Sequence, residues 1–279
     1  MKPTFIGIGA QKCASTWLYD ILADHPQVCL STNKEIDFFS YYFDYGFQWY
    51  ERHFECAEVR PAVGEISPSY FHGAGVPKRV YDYNPDLRLI LFLRDPIARA
   101  FSNHLHEVRI GHLQGNDITF EYGLANNPSY IDQGLYATHL EHWLEYFPRD
   151  RILVVLFDDV ISSKESVAKT VYKFLGISDS HKSESLFERS NESYVNRFAL
   201  LERAKNGIRL VVKNAGLGWA WDAVGRLGPQ RLYRALNRRP FEAIIPPIGE
   251  STKQALRIKF GDEVHRLENL INRSLGHWL

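Results

Sequence analysis

Thr4-Phe5-Ile6-Gly7-Ile8-Gly9-Ala10-Gln11-Lys12-Cys13-Ala14-Ser15-Thr16-Trp17-Leu18-Tyr19-Asp20-Ile21-Leu22 decides the fold of this 279-residue chain. Its first six residues read as a buried strand, and Trp17 to Leu22 read as a helix. Between them lies a turn of small and hydroxyl residues that carries one lysine. Ala10 and Ala14 allow backbone N–H groups to approach an anion, Ser15 and Thr16 add hydroxyl donors, and Lys12 with the helix dipole supplies positive potential. A strand, an anion-cradling turn and a helix N-terminus, in that order, open an α/β domain built to hold a phosphate or a sulfate. A Walker A loop would place its lysine directly before the hydroxyl residue that sits on Mg²⁺. Here Cys13 and Ala14 separate Lys12 from Ser15, which weighs against an ATP- or GTP-hydrolysing site. A turn that merely packs a sheet edge is the plainer alternative, and the lysine and two hydroxyls argue against it.

A second stretch works with the first. Leu87-Arg88-Leu89-Ile90-Leu91-Phe92-Leu93 reads as a buried parallel strand, preceded by the turn residues Asn84-Pro85-Asp86. Arg94-Asp95-Pro96 follows, with Pro96 at the first position of a helix that carries Arg99, Ser102 and Asn103. Arg94 thus emerges at the carboxyl end of a central strand, where open α/β sheets bind ligands.

Together the two motifs resemble the sulfotransferases that use 3′-phosphoadenosine 5′-phosphosulfate (PAPS). Further blocks are similar to the heparan sulfate sulfotransferase branch and its bacterial relatives: Lys34-Glu35-Ile36-Asp37-Phe38-Phe39, Gly64-Glu65-Ile66-Ser67-Pro68-Ser69-Tyr70-Phe71, Gly134-Leu135-Tyr136-Ala137-Thr138-His139-Leu140 with Trp143, and Phe174-Leu175-Gly176. The resemblance implies a P-loop-like three-layer fold, a central parallel sheet flanked by helices. It implies PAPS as donor, with Lys12, Cys13, Ala14, Ser15, Thr16 and Trp17 at the 5′-phosphosulfate, Arg94 and Ser102 at the 3′-phosphate, and Tyr136 completing the nucleotide site. It makes Glu35 the catalytic base, with His106, one helical turn after Ser102, as its competitor. Read without the resemblance, Glu35 is a surface carboxylate paired with Lys34, and His106 a solvated helix residue. The branch's lysine after the glutamate of the Gly64–Phe71 block is replaced here by Ile66, so a heparan-like acceptor does not follow from the motifs.

Composition bounds the rest. Thirty-three basic and 33 acidic residues balance, so no global field recruits nucleic acid. Arg203, Lys205, Arg209, Lys213, Arg226, Arg231, Arg234, Arg238 and Arg239 crowd one segment. That segment reads as a basic helical insert at about 199–240 within one domain spanning 1–279. A solvated surface, a lid over the acceptor, and a contact with anionic lipid headgroups are its three readings. Ser162-x-x-Glu165 offers a capping box for a helix ending near Leu175-Gly176. Cys13, Cys29 and Cys56 are too few and too clustered for a disulfide framework. With no charged-apolar-cleavage pattern at Met1-Lys2-Pro3 and no long apolar run, the expectation is a cytoplasmic enzyme without a membrane anchor.

The expected reaction is in-line sulfuryl transfer to an acceptor hydroxyl of a carbohydrate, lipid or small molecule, with amines left open. No cluster of ligand residues suggests a metal. Two other classes compete: a P-loop kinase, which would need ATP and Mg²⁺, and a non-catalytic nucleotide- or glycan-binding module on the same fold. Oligomeric state is not read from the sequence.

Overall fold

A computed structural model describes residues 1–187 and 245–279, with the backbone of 194–196 and 238–240. Five parallel strands form the central sheet: β1 (Phe5–Gly9), β2 (Val28–Leu30), β3 (Ala62–Ile66), β4 (Arg88–Leu93) and β5 (Ile152–Leu156), in the order β2-β3-β1-β4-β5. β1 lies at the centre, with Phe5 opposite Gly64 on one side and Arg88 on the other. Its Phe5, Ile6 and Ile8 are fully buried, as expected of a strand covered on both faces. A short antiparallel pair, β6 (Tyr194–Asn196) and β7 (Arg238–Pro240), stands apart from that sheet. The expected α/β class and the parallel sheet are therefore present. The segment expected as a basic helical insert at about 199–240 lies outside the described residues except for Arg238–Pro240, which form the strand β7 and not helix.

Helices alternate with the strands: α1 (Ser15–Ala23), α2 (Gly46–Glu51), α3 (Val76–Tyr83), α4 (Pro96–Ile110), α5 (Phe120–Asn126), α6 (Ser129–Asp132), α7 (Tyr136–Leu144), α8 (Phe157–Ser162) and α9 (Lys164–Leu175). A final long helix, Glu250–Ile271, packs on α7, where Glu263 accepts from the backbone N–H and hydroxyl of Thr138. Two expectations shift here. Ser162 closes α8, and it is Ser163 whose hydroxyl caps α9 by accepting from the Ser166 N–H, because the apolar strand ends at Leu156 and Phe157 already begins a helix. Cys29 and Cys56, expected to be unpaired, form a disulfide across 6.1 Å between their Cα atoms. Their spacing in sequence hides the pairing, since β2 and the segment after α2 meet only in the fold.

The strand order places the site. From β1 the chain crosses to β2 on one side of the sheet, whereas from β4 it crosses to β5 on the other. The connections therefore diverge between the neighbouring carboxyl ends of β1 and β4 and leave a crevice there, the usual ligand position in an open α/β sheet. The Ala10 N–H donates to the Phe92 carbonyl at 2.7 Å, so the first loop starts pinned to β4 at that crevice. Gly9, at φ +149°, has no alternative: a Cβ there would fall 2.7 Å from the Phe71 Cβ.

Candidate active site

Lys12 and Ala14 both adopt left-handed backbone, at φ 66° and 78°. Left-handed residues are costly outside glycine and here alternate with ordinary ones, turning successive N–H groups into one concavity. Ala14 is also the N-cap of α1, and no side chain caps that helix. The contrast with α4 is informative. There Asp95 Oδ1 accepts from the N–H groups of Ile97 and Ala98 at 2.7 and 3.1 Å, so its helix N-terminus is already satisfied. The N-terminus of α1 has no such side-chain cap, and the residues around it fit a phosphosulfate: small Ala14, the hydroxyls of Ser15 and Thr16, and the Lys12 ammonium.

Lys12 is only partly exposed, and burial together with nearby Arg109 holds its pKa down at about 8, while Glu35 and Glu107 act in the opposite sense. An ammonium in this state gains from an anionic partner. Cys13 and Trp17 point the other way. The Cys13 thiol is buried, pushed up to about 11 mainly by desolvation, and lies 3.8 Å from the Tyr136 hydroxyl, which is itself buried. The Trp17 indole is buried and donates to the Leu186 carbonyl at 3.2 Å. The side chains of Cys13, Trp17 and Tyr136 thus underpin the loop from below, and what Cys13 and Trp17 offer an anion is backbone.

Arg94 leaves β4 beside this loop with its guanidinium 4.6 Å from the centre of the Phe157 ring. Ser102 follows on α4, partly exposed. His106 is on the same helix, and its Nδ1 accepts from an Arg109 N–H at 2.7 Å. Burial first, then Lys12 and Arg109, keep the His106 imidazole below its ordinary pKa. His104 is structural: it is buried, with ring nitrogens 3.0 Å from the Tyr130 hydroxyl and 2.9 Å from the Ile118 carbonyl.

The loop after β2 approaches from the opposite side. Lys34 Nζ donates to the Thr16 hydroxyl at 2.7 Å and lies 3.6 Å from Glu35 Oε1. The Lys34–Glu35 ion pair expected of a plain surface is present, yet the same ammonium ties Glu35 to the nucleotide-side loop. Glu35 and Asp37 are both left-handed, at φ 59° and 55°. Asp37 is half-buried, and desolvation raises its carboxyl pKa while the Ser69 hydroxyl, donating to Oδ1 at 2.5 Å, lowers it and Glu35 raises it further.

Sequence reasoning missed Lys34 as the bridge between the two loops, Asp37, Arg109 and Arg99. Arg99 is fully buried on α4 and donates to Gln133 Oε1 and to the carbonyls of Ser129 and Tyr130; its Nε has no partner among the described residues.

A parallel sheet with a helix that lacks a side-chain cap after its first strand, at the switch point, is an architecture that binds phosphate-bearing ligands. Sequence comparison makes the class specific: the sulfotransferase domain family matches residues 2–213, and the chain belongs to that family. It is an enzyme of sulfuryl transfer, and its donor is PAPS. The kinase and the non-catalytic readings fall with that assignment. Among its relatives is human heparan sulfate glucosamine 3-O-sulfotransferase 6, 27% identical over 248 residues, 86% of this chain and 71% of that one. Another, the membrane-associated sulfotransferase kil1 of Dictyostelium discoideum, is 36% identical over 105 residues, 37% of this chain and 22% of its own. A crystal structure of a sulfotransferase from Alicyclobacillus acidocaldarius shares the fold at a TM-score of 0.73 and 24% identity, covering 100% of this chain and 99% of that one.

These relatives overturn the cytoplasmic expectation. It rested on sparse cysteines and on the absence of a targeting pattern, whereas Cys29 and Cys56 are paired and the relatives named are heparan sulfate enzymes and a membrane-associated one. No helix among the described residues is long and apolar enough to cross a membrane.

Proposed function

We propose that this enzyme transfers the sulfuryl group of PAPS to a hydroxyl of a carbohydrate acceptor, with Glu35 as general base and Lys12 as the group that stabilises charge on the leaving oxygen. The observation that carries the reading is the Lys34 bridge, which holds Glu35 against the loop of Lys12 and Thr16. PAPS supplies an activated sulfur whose bond to the 5′-phosphate oxygen breaks as the acceptor oxygen bonds to it, leaving adenosine 3′,5′-bisphosphate.

The residues act around that displacement. The first amides of α1 and the Ser15 and Thr16 hydroxyls hold the 5′-phosphate, and Arg94 with Ser102 holds the remote 3′-phosphate. Glu35 takes the proton of the acceptor hydroxyl as the new bond forms. Lys12, partly desolvated, faces the oxygen on which negative charge grows, where a fixed cation contributes most. His106, held by Arg109 and kept largely neutral, orients donor or acceptor. Support for a carbohydrate acceptor comes from the relatives' names.

Glu35→Gln tests the reading. It should leave bisphosphate affinity within a small factor of the parent and lower turnover about a hundredfold or more. His106→Ala should cost less. An active Glu35→Gln beside an inactive His106→Ala would transfer the base to the histidine. Labelled PAPS offered with heparan sulfate, simple glucosaminides, lipid hydroxyls and amines would identify the acceptor.

A further inference from the structure

Beneath the Glu35 loop lies a fully buried carboxylate, Glu65, at the carboxyl end of β3. Its Oε1 accepts from the hydroxyls of Tyr50 and Tyr70 at 2.8 and 2.7 Å, and its Oε2 accepts from the Ser67 hydroxyl at 2.5 Å. Such a group is costly to desolvate, and three donors offset much of that cost. Burial nevertheless raises its pKa to about 7 against the pull of Ser67, Tyr70 and Tyr50.

Ser67 leads from the carboxylate to Asp37, the residue nearest Glu35 that these bonds reach, Tyr70 also meets the Phe39 backbone further along the loop, and the Tyr50 hydroxyl ends at the carboxylate. While its hydroxyl donates to Glu65, the Ser67 oxygen accepts from the Asp37 N–H at 3.0 Å. Ser67 is itself hooked to the central strand, its N–H donating to the Gly7 carbonyl at 2.9 Å. A continuous link thus runs from the sheet to the backbone two residues after Glu35. It ends where the loop is most strained, with Glu35 and Asp37 flanking buried Ile36 in left-handed conformation. Backbone of that kind persists only where its surroundings over-determine it.

We propose that Glu65 is a positioning residue for sulfuryl transfer: by fixing the direction of the Ser67 hydroxyl it locks the Asp37 amide, and through it the backbone that presents Glu35. This rests on the reading of Glu35 as base. Tyr50 shares the carboxylate but not the path, since it comes from α2 and its hydroxyl ends at Oε1.

That asymmetry supplies the test. Ser67→Ala and Tyr50→Phe each delete one hydroxyl bonded to the same buried carboxylate, so a purely structural hub would respond to both alike. Amide hydrogen exchange at Asp37 should accelerate about tenfold or more in Ser67→Ala and stay at the parental rate in Tyr50→Phe. Turnover of labelled PAPS, followed as bisphosphate release with a screened acceptor or with water, should fall about tenfold or more in Ser67→Ala at unchanged bisphosphate affinity, because small misplacements of a base are expensive. Tyr50→Phe should stay within about twofold of the parent. In a Glu35→Gln background, Ser67→Ala should cost little further turnover, as expected when one residue acts through the other. Equal losses in the two single variants, or an unchanged Asp37 exchange rate in Ser67→Ala, would overturn the proposal. An active Glu35→Gln would instead sink the base assignment, with the exchange result still reporting on the link itself.

Discussion

The loop after β1 and the loop after β2 meet at Lys34, yet they are held by opposite means. Both carry two left-handed residues, but the first is a backbone device: a helix without a side-chain cap and a hydrogen bond to β4 make its shape, and side chains such as Cys13 and Tyr136 only fill the space below. The second is a side-chain device, in which Asp37 is held by Ser67 and Ser69, and Ser67 by a buried glutamate. A backbone cradle suits a donor whose phosphates do not change. A side-chain scaffold tolerates substitution, and acceptor choice is expected to vary there.

The comparison breaks first at Lys12. Lys12→Ala should lower turnover about a hundred- to a thousandfold, the usual loss when one preorganised stabilising donor is removed. Near-parental turnover would remove the first loop from the chemistry. Arg94→Ala comes next: a charge-assisted contact contributes roughly 1.5 to 3 kcal/mol, so bisphosphate affinity should weaken about tenfold to a hundredfold, and Ser102→Ala less, both read by calorimetry. Equal affinities in all three proteins would separate the second motif from the nucleotide.

A pH titration sharpens the contrast further. The Lys12 pKa of about 8 belongs to the protein without ligand, and a bound anion raises it, so binding takes up a proton above that value. Bisphosphate affinity should be flat between about pH 7 and 8, where the phosphates are ionised and Lys12 is charged, and fall by up to about tenfold per pH unit above that. The slope should vanish in Lys12→Ala. The smallest effect is expected at Asp95: Asp95→Ala uncaps α4 and should cost about 1 kcal/mol of stability in a denaturant titration, with Lys12-dependent behaviour preserved.

Much of this was legible in the chain. Apolar runs of strand length marked β1, β4 and β5, and turn chemistry marked the anion loop and Pro96, because each of those signals is local. The β2–β3 side was harder. β3 reads Ala-Val-Gly-Glu-Ile, and a buried glutamate in a strand is interpretable only once Tyr50, Ser67 and Tyr70 are seen to converge on it. Cys29 and Cys56 misled for the same reason, since their pairing depends on how α2 returns to the sheet edge. Lys34 looked like half of an ion pair because its second partner, Thr16, belongs to another loop.

The central place of β1 bears on how the protein folds. As the first strand in sequence it has no neighbour until Ala62–Ile66 and Arg88–Leu93 have been made, since β2 pairs with β3 and not with β1. Such non-local closure is slow and comes late. The turn hung from β1 can acquire its shape only when both partners have docked, because the Ala10 N–H waits for Phe92 and Gly9 is packed against Phe71. Nucleotide affinity in a refolding experiment should therefore appear with completion of the sheet, making the bound bisphosphate a reporter of the last strand to arrive.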